Sequence, residues 1–370
     1  MGRQLPKGDD PGAENESNLI TYHTYKTYKT YKTYPTPMTP KNLIIPTLSA
    51  ALLLLAACGN TKKSTANNAP APQPVSVTFS ADSAFLFCQQ QCDFGPRVMN
   101  SQAHDRCGEW IAAKFRQYGL NVTEQKALLR GYDGTQLRST NIIAAYKPEQ
   151  QERILLCAHW DSRPWADNDP NPANHHSPVM AANDGASGVA VMLEIARLLQ
   201  QTPLTIGVDF VCFDAEDWGT PQWAEADGSD ADTWALGAQH WAANLHKSNY
   251  SARFGILLDM VGGQGARFYK EQMSTYYADD VVKKVWEAAK TAGYGSFFPA
   301  DDGNAITDDH LPVNQTAKIP CIDIIPYYPD CQASSFGQTW HTVDDDMAHI
   351  DRNTLQAVGQ TLLQVLYSEP

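Results

Sequence analysis

The stretch IGVDFVCFDAEDW, residues 206–218, decides the fold that this sequence predicts. Its first half is apolar and rich in β-branched and aromatic residues, which is typical of a buried strand. Two adjacent carboxylates, Glu216 and Asp217, follow where that strand ends. Because open α/β sheets hold their ligands at the carboxyl ends of their strands, this pair is a candidate for a ligand site. A single acidic pair after a strand is commonly a solvated loop, so other strands must support the interpretation.

Other predicted strands end on side chains of the same kinds. Residues 153–158 are an apolar run that leads into His159 and Asp161, and residues 254–258 lead into Asp259. With one aspartate and one histidine from loops, the candidate residues are His159, Asp161, Asp184, Glu216, Asp217, Asp259 and His341. Nitrogen and carboxylate ligands without cysteine suit zinc, and an open fourth position is the mark of a catalytic zinc site.

The order of the predicted elements indicates one folded domain at residues 78–370, long enough for a large core of its own. The predicted helices lie near residues 80–88, 102–118, 189–200, 279–292 and 354–367. The predicted strands lie near residues 120–123, 140–146, 153–158, 206–211, 254–260 and 319–325. Strands that alternate with helices favour an α/β fold, a three-layer αβα domain around a mostly parallel, mixed central sheet.

The amino-terminal part of the chain lacks the pattern of a folded domain. Residues 1–37 are polar and repeat Thr-Tyr-Lys, which predicts disorder, or an over-long start with the true start at Met38. Residues 38–57 contain an apolar stretch that is short for a membrane span and leads into Cys58. The segment resembles a bacterial lipoprotein signal peptide, with an uncleaved anchor helix as the alternative. Residues 58–77 then form a flexible tether.

This signal predicts where the protein resides. A lipid on Cys58 would anchor the protein to a membrane, because a cleaved signal plus a lipid replaces a spanning helix. The expected location is therefore the bacterial cell envelope, with the domain in the periplasm.

Composition argues against nucleic acid as a partner. The chain carries a formal net charge of −13. Residues 1–58 are slightly basic, so the part that folds is more acidic than the whole. An acidic chain without basic runs lacks the electrostatic footprint of a nucleic-acid-binding protein.

The cysteines predict no metal site of their own, because the sequence contains no CxxC pair and no Cys/His pair with zinc-finger spacing. Three cysteines in apolar, strand-like runs are expected to be buried and unreactive, namely Cys157, Cys212 and Cys321. Four others could form disulfides in an oxidising compartment, in a pairing that the sequence does not specify, namely Cys88, Cys92, Cys107 and Cys331.

The candidate residues stand in five motifs that resemble those of the zinc-dependent aminopeptidase superfamily. In order along the chain, the motifs are His159-x-Asp161, Asn183-Asp184-Gly185, Asp214-Ala215-Glu216-Asp217, Leu258-Asp259-Met260 and His341. Within the superfamily, the chain is most similar to the animal-type glutaminyl-peptide cyclotransferases, or glutaminyl cyclases, and their bacterial envelope relatives. The segments that carry this second resemblance are HWDSRPWAD at 159–167, DDHLP at 308–312 and WHTVDD at 340–345.

The resemblance implies one zinc ion per chain, held by Asp184, Asp217 and His341. It also implies that Glu216 is the general acid and base. The animal enzymes carry glutamate as the second ligand, whereas this chain has Asp217, so a backbone shift would have to compensate for the shorter side chain.

Further residues receive roles from the same resemblance. Asp259 and Asp309 would form an acidic hydrogen-bond network beside the general acid. Trp340 and Trp223 would form the walls of the substrate pocket, with Trp218 as an alternative to Trp223.

The implied activity is the cyclisation of the amino-terminal glutamine of peptides and proteins to pyroglutamate, with release of ammonia. The alternative is a zinc aminopeptidase of the same superfamily, in which the same acid deprotonates a zinc-bound water. A binding module that has lost catalysis predicts a broken set of ligands or a missing acid, and here every position is filled.

Overall fold

A computed structural model describes residues 72–224 and 233–370. The predicted disordered start at 1–37, the predicted signal peptide at 38–57 and most of the predicted tether, including Cys58, lie outside the described residues. Within the part that is described, no helix is both long enough and apolar enough to cross a membrane.

A six-stranded mixed sheet forms the centre of the structure, with the strand order β1-β2-β4-β3-β5-β6. The strands are β1 (Asn121–Arg130), β2 (Gln136–Tyr146), β3 (Arg153–His159), β4 (Gly207–Phe213), β5 (Gly255–Leu258) and β6 (Cys321–Ile324). Strand β2 pairs antiparallel with β1 and β4, and the other neighbours are parallel. The predicted mostly parallel, mixed sheet is confirmed. Strand β1 is longer than predicted, because it is an edge strand without a single buried residue and so gives little apolar signal.

Seven α-helices surround the sheet in the described residues. They are α1 (Ala81–Cys92), α2 (Gln102–Gln117), α3 (Ala186–Gln201), α4 (Leu236–Ala243), α5 (Gln272–Thr291), α6 (His310–Gln315) and α7 (Arg352–Ser368). The short helices α4 and α6 were not predicted. Helix α5 begins earlier than predicted, and its backbone is kinked at Ala278, next to the predicted start.

The sheet separates two apolar cores, as β3 shows. Ile154, Leu156 and Ala158 contribute to the larger core, together with buried side chains of α1, α2, α3, α5 and α7. Leu155 and Cys157 point to the other face and contribute to a smaller core with α4 and α6. Since successive side chains of a strand alternate between faces, this division gives the predicted three layers.

The first described residues run along α7. The backbone N–H groups of Val75, Phe79 and Ala81 donate to glutamine side chains of that helix at 2.9–3.3 Å. The acceptors are spaced four residues apart, on one face of the helix, and are Gln364, Gln360 and Gln356. Val77 is also buried. The folded part therefore begins before the predicted boundary at residue 78.

All seven cysteines of the described part are free thiols. The three that were expected to be buried are buried. The four possible disulfide partners form no disulfide in the described residues, and burial raises the pKa of the Cys107 thiol to about 12.

Gly188 allows α3 to approach the sheet closely. A Cβ atom on Gly188 would lie 2.8 Å from the Cβ atom of Ala158 in β3, and closer still to the carbonyl oxygen of Leu258 in β5. The first turn of α3 follows directly on the loop that carries Asp184. The close approach therefore holds that loop at the ends of β3 and β5.

We expect the substitution Gly188→Ala to destabilise the fold. The added methyl group must displace backbone atoms, and overpacking of this kind typically costs about 1–3 kcal/mol of unfolding free energy. Urea unfolding followed by circular dichroism measures the change. Gly295→Ala is the matched control, because its new Cβ would lie 3.5 Å from the nearest atom. If both variants unfold at the wild-type urea concentration, the helix is not held as closely as described.

Candidate active site

The carboxyl ends of three parallel strands bring the candidate residues together. His159 is the last residue of β3, Glu216 and Asp217 follow β4, and Asp259 follows β5. All four are buried, with Glu216 the most accessible at 9% exposure. The structure places these strand ends side by side, with His159 Nε2 3.3 Å from Asp259 Oδ1.

One group of side chains in this site has the composition of a metal site. Ligand atoms of Asp184, Asp217 and His341 all lie within 4.8 Å of one another. His341 Nε2 is 3.3 Å from Asp217 Oδ1 and 3.6 Å from Asp184 Oδ2. Both carboxylate oxygens of Asp217 are buried without a hydrogen-bond partner. A buried carboxylate left in this state is costly, so the group fits a cation.

A second possible metal group shares Asp184. His159 Nε2 lies 2.9 Å from Asp184 Oδ1 and 3.3 Å from Asp259 Oδ1, and these three residues again have their ligand atoms within 4.8 Å. Burial lowers the pKa of His159, but the nearby carboxylates of Asp161, Asp184 and Asp259 outweigh it and leave this pKa well above its ordinary value. Ligands for one ion or for two adjacent ions are therefore in place.

Glu216 has the electrostatic character of a proton carrier. Burial and the neighbouring Asp217 raise the pKa of Glu216 well above its ordinary value, and Asp309 raises it further. By contrast, burial raises the pKa of Asp217, but His341 and Arg163 outweigh it and hold this pKa below the ordinary value. Adjacent carboxylates thus differ in proton affinity, which suits them to different roles.

Asp161 fixes the backbone that carries these two carboxylates. Its Oδ1 accepts the N–H of Glu216 at 3.1 Å, and its Oδ2 accepts the N–H of Asp217 at 3.2 Å. The preceding residue, Ala215, has a left-handed backbone with φ of 54°. Asp161 therefore stabilises a sharp turn after β4 that carries both carboxylates.

Asp345 fixes the loop before α3 in the same manner. Its two carboxylate oxygens accept the N–H groups of Asn183 and Asp184 at 2.8 and 3.0 Å. Burial and the nearby Asp184 raise the pKa of Asp345 to about 7. The sequence analysis assigned no role to Asp345, although this residue lies in the same motif as His341.

A buried ion pair orients His341. Asp167 accepts two hydrogen bonds from the Arg163 guanidinium, at 2.7 and 2.6 Å, and its Oδ1 lies 3.5 Å from His341 Nδ1. Burial raises the pKa of Asp167, but Arg163 and His341 outweigh it and hold that pKa below its ordinary value. A carboxylate on one ring nitrogen directs the other nitrogen towards a metal. The sequence motif contains Arg163 and Asp167 but does not reveal their pairing.

The predicted acidic network is present only in part. Asp309 is fully buried, yet neither of its carboxylate oxygens has a hydrogen-bond partner, and the Asp259 carboxylate is hydrogen-bonded to His159. Burial and Asp308 raise the pKa of Asp309 well above its ordinary value. Asp308 and Asp259 therefore affect Asp309 by electrostatic repulsion. The predicted hydrogen bonds of Asp309 are not formed.

Two tryptophans lie parallel to the imidazole of His341. Trp340 stacks on it with ring centroids 3.8 Å apart, in agreement with its predicted place in the site. Trp234 lies at 6.0 Å with an interplanar angle of 9°, and its ring is also 4.7 Å from the Arg163 guanidinium. Trp234 was not predicted, because no strand or motif leads into it.

Trp223 and its predicted alternative Trp218 lie in a different group of rings. Both contact Trp165, at centroid distances of 6.0 Å for Trp223 and 5.2 Å for Trp218. Trp223 is 43% exposed and also contacts His176. Its role in substrate binding stays a prediction.

Known proteins are similar to this chain in both fold and sequence. A solved glutaminyl cyclase from Bacteroides thetaiotaomicron, bound to N-acetylhistamine, is 53% identical, with 80% of this chain and 99% of that chain covered and a TM-score of 0.78. A structure described as a leucine aminopeptidase precursor from the same organism is 52% identical, with 80% and 100% covered and a TM-score of 0.77.

A curated relative is more distant. Aminopeptidase YwaD of Bacillus subtilis is 27% identical over 68% of this chain, and the match spans 50% of that protein. Residues 141–366 match Peptidase family M28, which confirms the predicted superfamily and its zinc exopeptidase-like fold. The chain belongs to Peptidase family M28.

Proposed function

We propose that this protein is a glutaminyl-peptide cyclotransferase, an acyltransferase that converts the amino-terminal glutamine of peptides and proteins to pyroglutamate and releases ammonia. The observation that carries the proposal is the 53% identity to a solved glutaminyl cyclase over 99% of that chain. The geometry agrees with it, because Glu216, a buried acid with a raised pKa, lies beside a group of potential zinc ligands.

Zinc is the cofactor that fits this site. The group of Asp184, Asp217 and His341 offers two carboxylates and one imidazole, and neither oxygen of Asp217 has a hydrogen-bond partner. We assign one zinc ion per chain to these three residues. When bound there, zinc supplies a Lewis acid for the side-chain amide carbonyl of the glutamine.

Glu216 carries the proton in the reaction. Its carboxylate accepts a proton from the α-amine as the amine nitrogen bonds to the side-chain amide carbon, and it returns that proton to the leaving nitrogen. The bond between carbon and the amide nitrogen breaks, and ammonia departs. The raised pKa of Glu216, to which Asp309 contributes, favours a group that holds the proton between these steps. We place Asp259 and Asp309 in catalysis as the acids around it.

The pocket has to hold the substrate in a folded-back conformation, because nucleophile and electrophile belong to one molecule. Trp340, stacked on His341, provides a rigid wall beside the metal group. Asp161 positions Glu216 through the backbone, and Asp167 positions His341 through its ring nitrogen.

Aminopeptidase activity is the second candidate. Two potential metal groups share Asp184, as a two-ion hydrolase requires, and both aminopeptidase-named proteins above resemble this chain. In that reaction Glu216 would deprotonate a water molecule instead of an amine.

A direct assay separates the two candidates. Purified protein loaded with zinc should release ammonia from Gln-Gly-Gly and no amino acid from Ala-Gly-Gly, and it should contain one zinc per chain. Coupled ammonia detection, amino-acid analysis and metal analysis measure these quantities. Two ions per chain together with hydrolysis of the alanyl peptide would establish aminopeptidase activity and contradict the proposed cyclase activity.

Substitutions should separate the roles of the adjacent carboxylates. Glu216→Gln keeps the size of the side chain but removes the proton carrier, so zinc should stay while turnover falls about 100- to 10,000-fold. Asp217→Ala should lose zinc affinity, and its activity should partly return in excess zinc. Metal content and rate are measured for both variants. If Glu216→Gln is metal-free while Asp217→Ala keeps zinc, the two roles are exchanged.

We also propose that the protein is anchored in the bacterial cell envelope by a lipid on Cys58, with the domain in the periplasm. The support is the apolar stretch that ends in Leu55-Ala56-Ala57-Cys58 and the tether that follows it.

The anchor is tested by Cys58→Ala in cells. This variant should move the protein from the membrane fraction to the soluble fraction, because the lipid attachment point is gone. Fractionation and mass spectrometry of the mature amino terminus are the measurements. Ser64→Ala, six residues further along the tether, is the control and should leave the distribution unchanged. Mature wild-type protein that begins at an unmodified Met1 or Met38 would exclude lipidation.

A further inference from the structure

Arg97, in the segment between α1 and α2, differs from the other buried arginines of the described residues. Arg153 and Arg163 each form an ion pair with an aspartate. Arg97 is fully buried as well, but its hydrogen bonds within the described part of the chain all go to backbone carbonyl oxygens. Since buried charges are usually paired with opposite charges, the identity of these carbonyl groups indicates what Arg97 does.

The guanidinium of Arg97 binds two loops of the candidate active site. Nη2 donates to the carbonyl oxygen of Ala181 at 2.7 Å, and Nη1 donates to that of Met180, in the loop that leads to Asp184. Nε donates to the carbonyl oxygen of Trp160 at 3.4 Å, directly after β3. The planar fork of a guanidinium presents its N–H groups in several fixed directions, so one side chain can bind both loops.

The loop before α3 is therefore held through both kinds of backbone group. Arg97 binds the carbonyl oxygens of residues 180 and 181, and the Asp345 carboxylate accepts the N–H groups of residues 183 and 184. A cation on the carbonyl groups and an anion on the amide groups fix one short segment from two sides. Asp184 is the last residue of that segment.

The backbone of Ala181 shows that this segment is constrained. Its φ of 55° lies in the left-handed region, where a residue other than glycine persists only if its surroundings enforce the conformation. The carbonyl oxygen of Ala181 accepts from Arg97 and also from the N–H of Ala186, the first residue of α3. Loss of the guanidinium would remove one of these two restraints three residues before Asp184.

We propose that Arg97 is a positioning residue for the metal ligand Asp184 and that it thereby sets the affinity of the site for zinc. This inference rests on the proposed function, which assigns zinc to Asp184, Asp217 and His341. Arg97 acts through the backbone of the loop, at a distance from the metal itself. Groups that orient a metal ligand typically account for about 10- to 100-fold in metal affinity.

The zinc affinity of Arg97→Lys tests this proposal. Lysine keeps the positive charge but donates from a single nitrogen, so it cannot bind the carbonyl groups of both loops as the guanidinium does. We expect the Kd for zinc to rise about 10- to 100-fold. Competition with a chromophoric chelator measures this Kd on purified, metal-free protein. Arg97→Gln, which removes the charge and most of the donors, is a second variant and should show a loss at least as large.

Arg153→Lys is the matched control, because it makes the same change at another buried arginine. Arg153 begins β3, about 20 Å along the strand from His159 at its end, and it pairs with Asp209. Both lysine variants should unfold at a lower urea concentration than the wild type. Only Arg97→Lys should bind zinc more weakly, which separates positioning of a ligand from a general loss of stability.

The outcomes distinguish this inference from the proposed function. If the wild type binds no zinc, the assigned cofactor fails and the inference fails with it. If the wild type binds zinc and Arg97→Lys binds it equally well, or if Arg153→Lys loses as much affinity, the inference is overturned while the zinc assignment stands. Circular dichroism shows whether each variant is folded during the titration. Failure of both Arg97 variants to fold, with Arg153→Lys folded, would make Arg97 a purely structural residue and would also overturn the inference.

Discussion

The site depends on buried carboxylates that accept hydrogen bonds from consecutive backbone amides. Asp161 holds the amides of Glu216 and Asp217, and Asp345 does the same at the loop that carries Asp184. A buried amide without a partner is costly, so each carboxylate makes one turn conformation much more stable than its alternatives. The positions of the metal ligands and of the proton carrier are therefore set by the backbone.

The carboxylates of the candidate metal ligands concentrate negative charge in a buried part of the site. Burial, with Asp217 and Asp259 nearby, raises the pKa of Asp184 to about 6. Asp217 differs, because His341 and Arg163 hold its pKa below the ordinary value despite its burial. A bound cation would relieve the repulsion within this group, so metal binding and the stability of these loops are coupled.

The sequence predicted those parts of the site that lie at the ends of regular strands. His159, Glu216, Asp217 and Asp259 follow apolar runs, and parallel strands necessarily bring such ends to one edge of the sheet. The roles of residues in late loops, such as His341, came from resemblance to a family, since nothing periodic surrounds them.

Contacts between distant loops left no signal in the sequence. Asn168 binds the backbone of Trp340 across 172 positions, and no local pattern specifies such a pair. The contact between Trp234 and His341 is another that no local sequence pattern specifies. The short helix α6, six residues long, was missed because it is too short to show a helical repeat. Local sequence patterns therefore predict the strands. The side chains around the site are brought together by tertiary packing, which no local pattern shows.

The glutamines that hold the first described residues along α7 have a consequence for biosynthesis. These hydrogen bonds join positions 275 to 289 residues apart, so α1 and the segment before it are bound by the last helix to be made. A chain emerging from the ribosome lacks that helix until residues 352–368 have been made. Because contacts between distant positions form late and slowly, the large core stays open until then. An unfinished chain therefore lacks the acceptors for these backbone amides, and its first described residues reach their final positions only after α7 has been made.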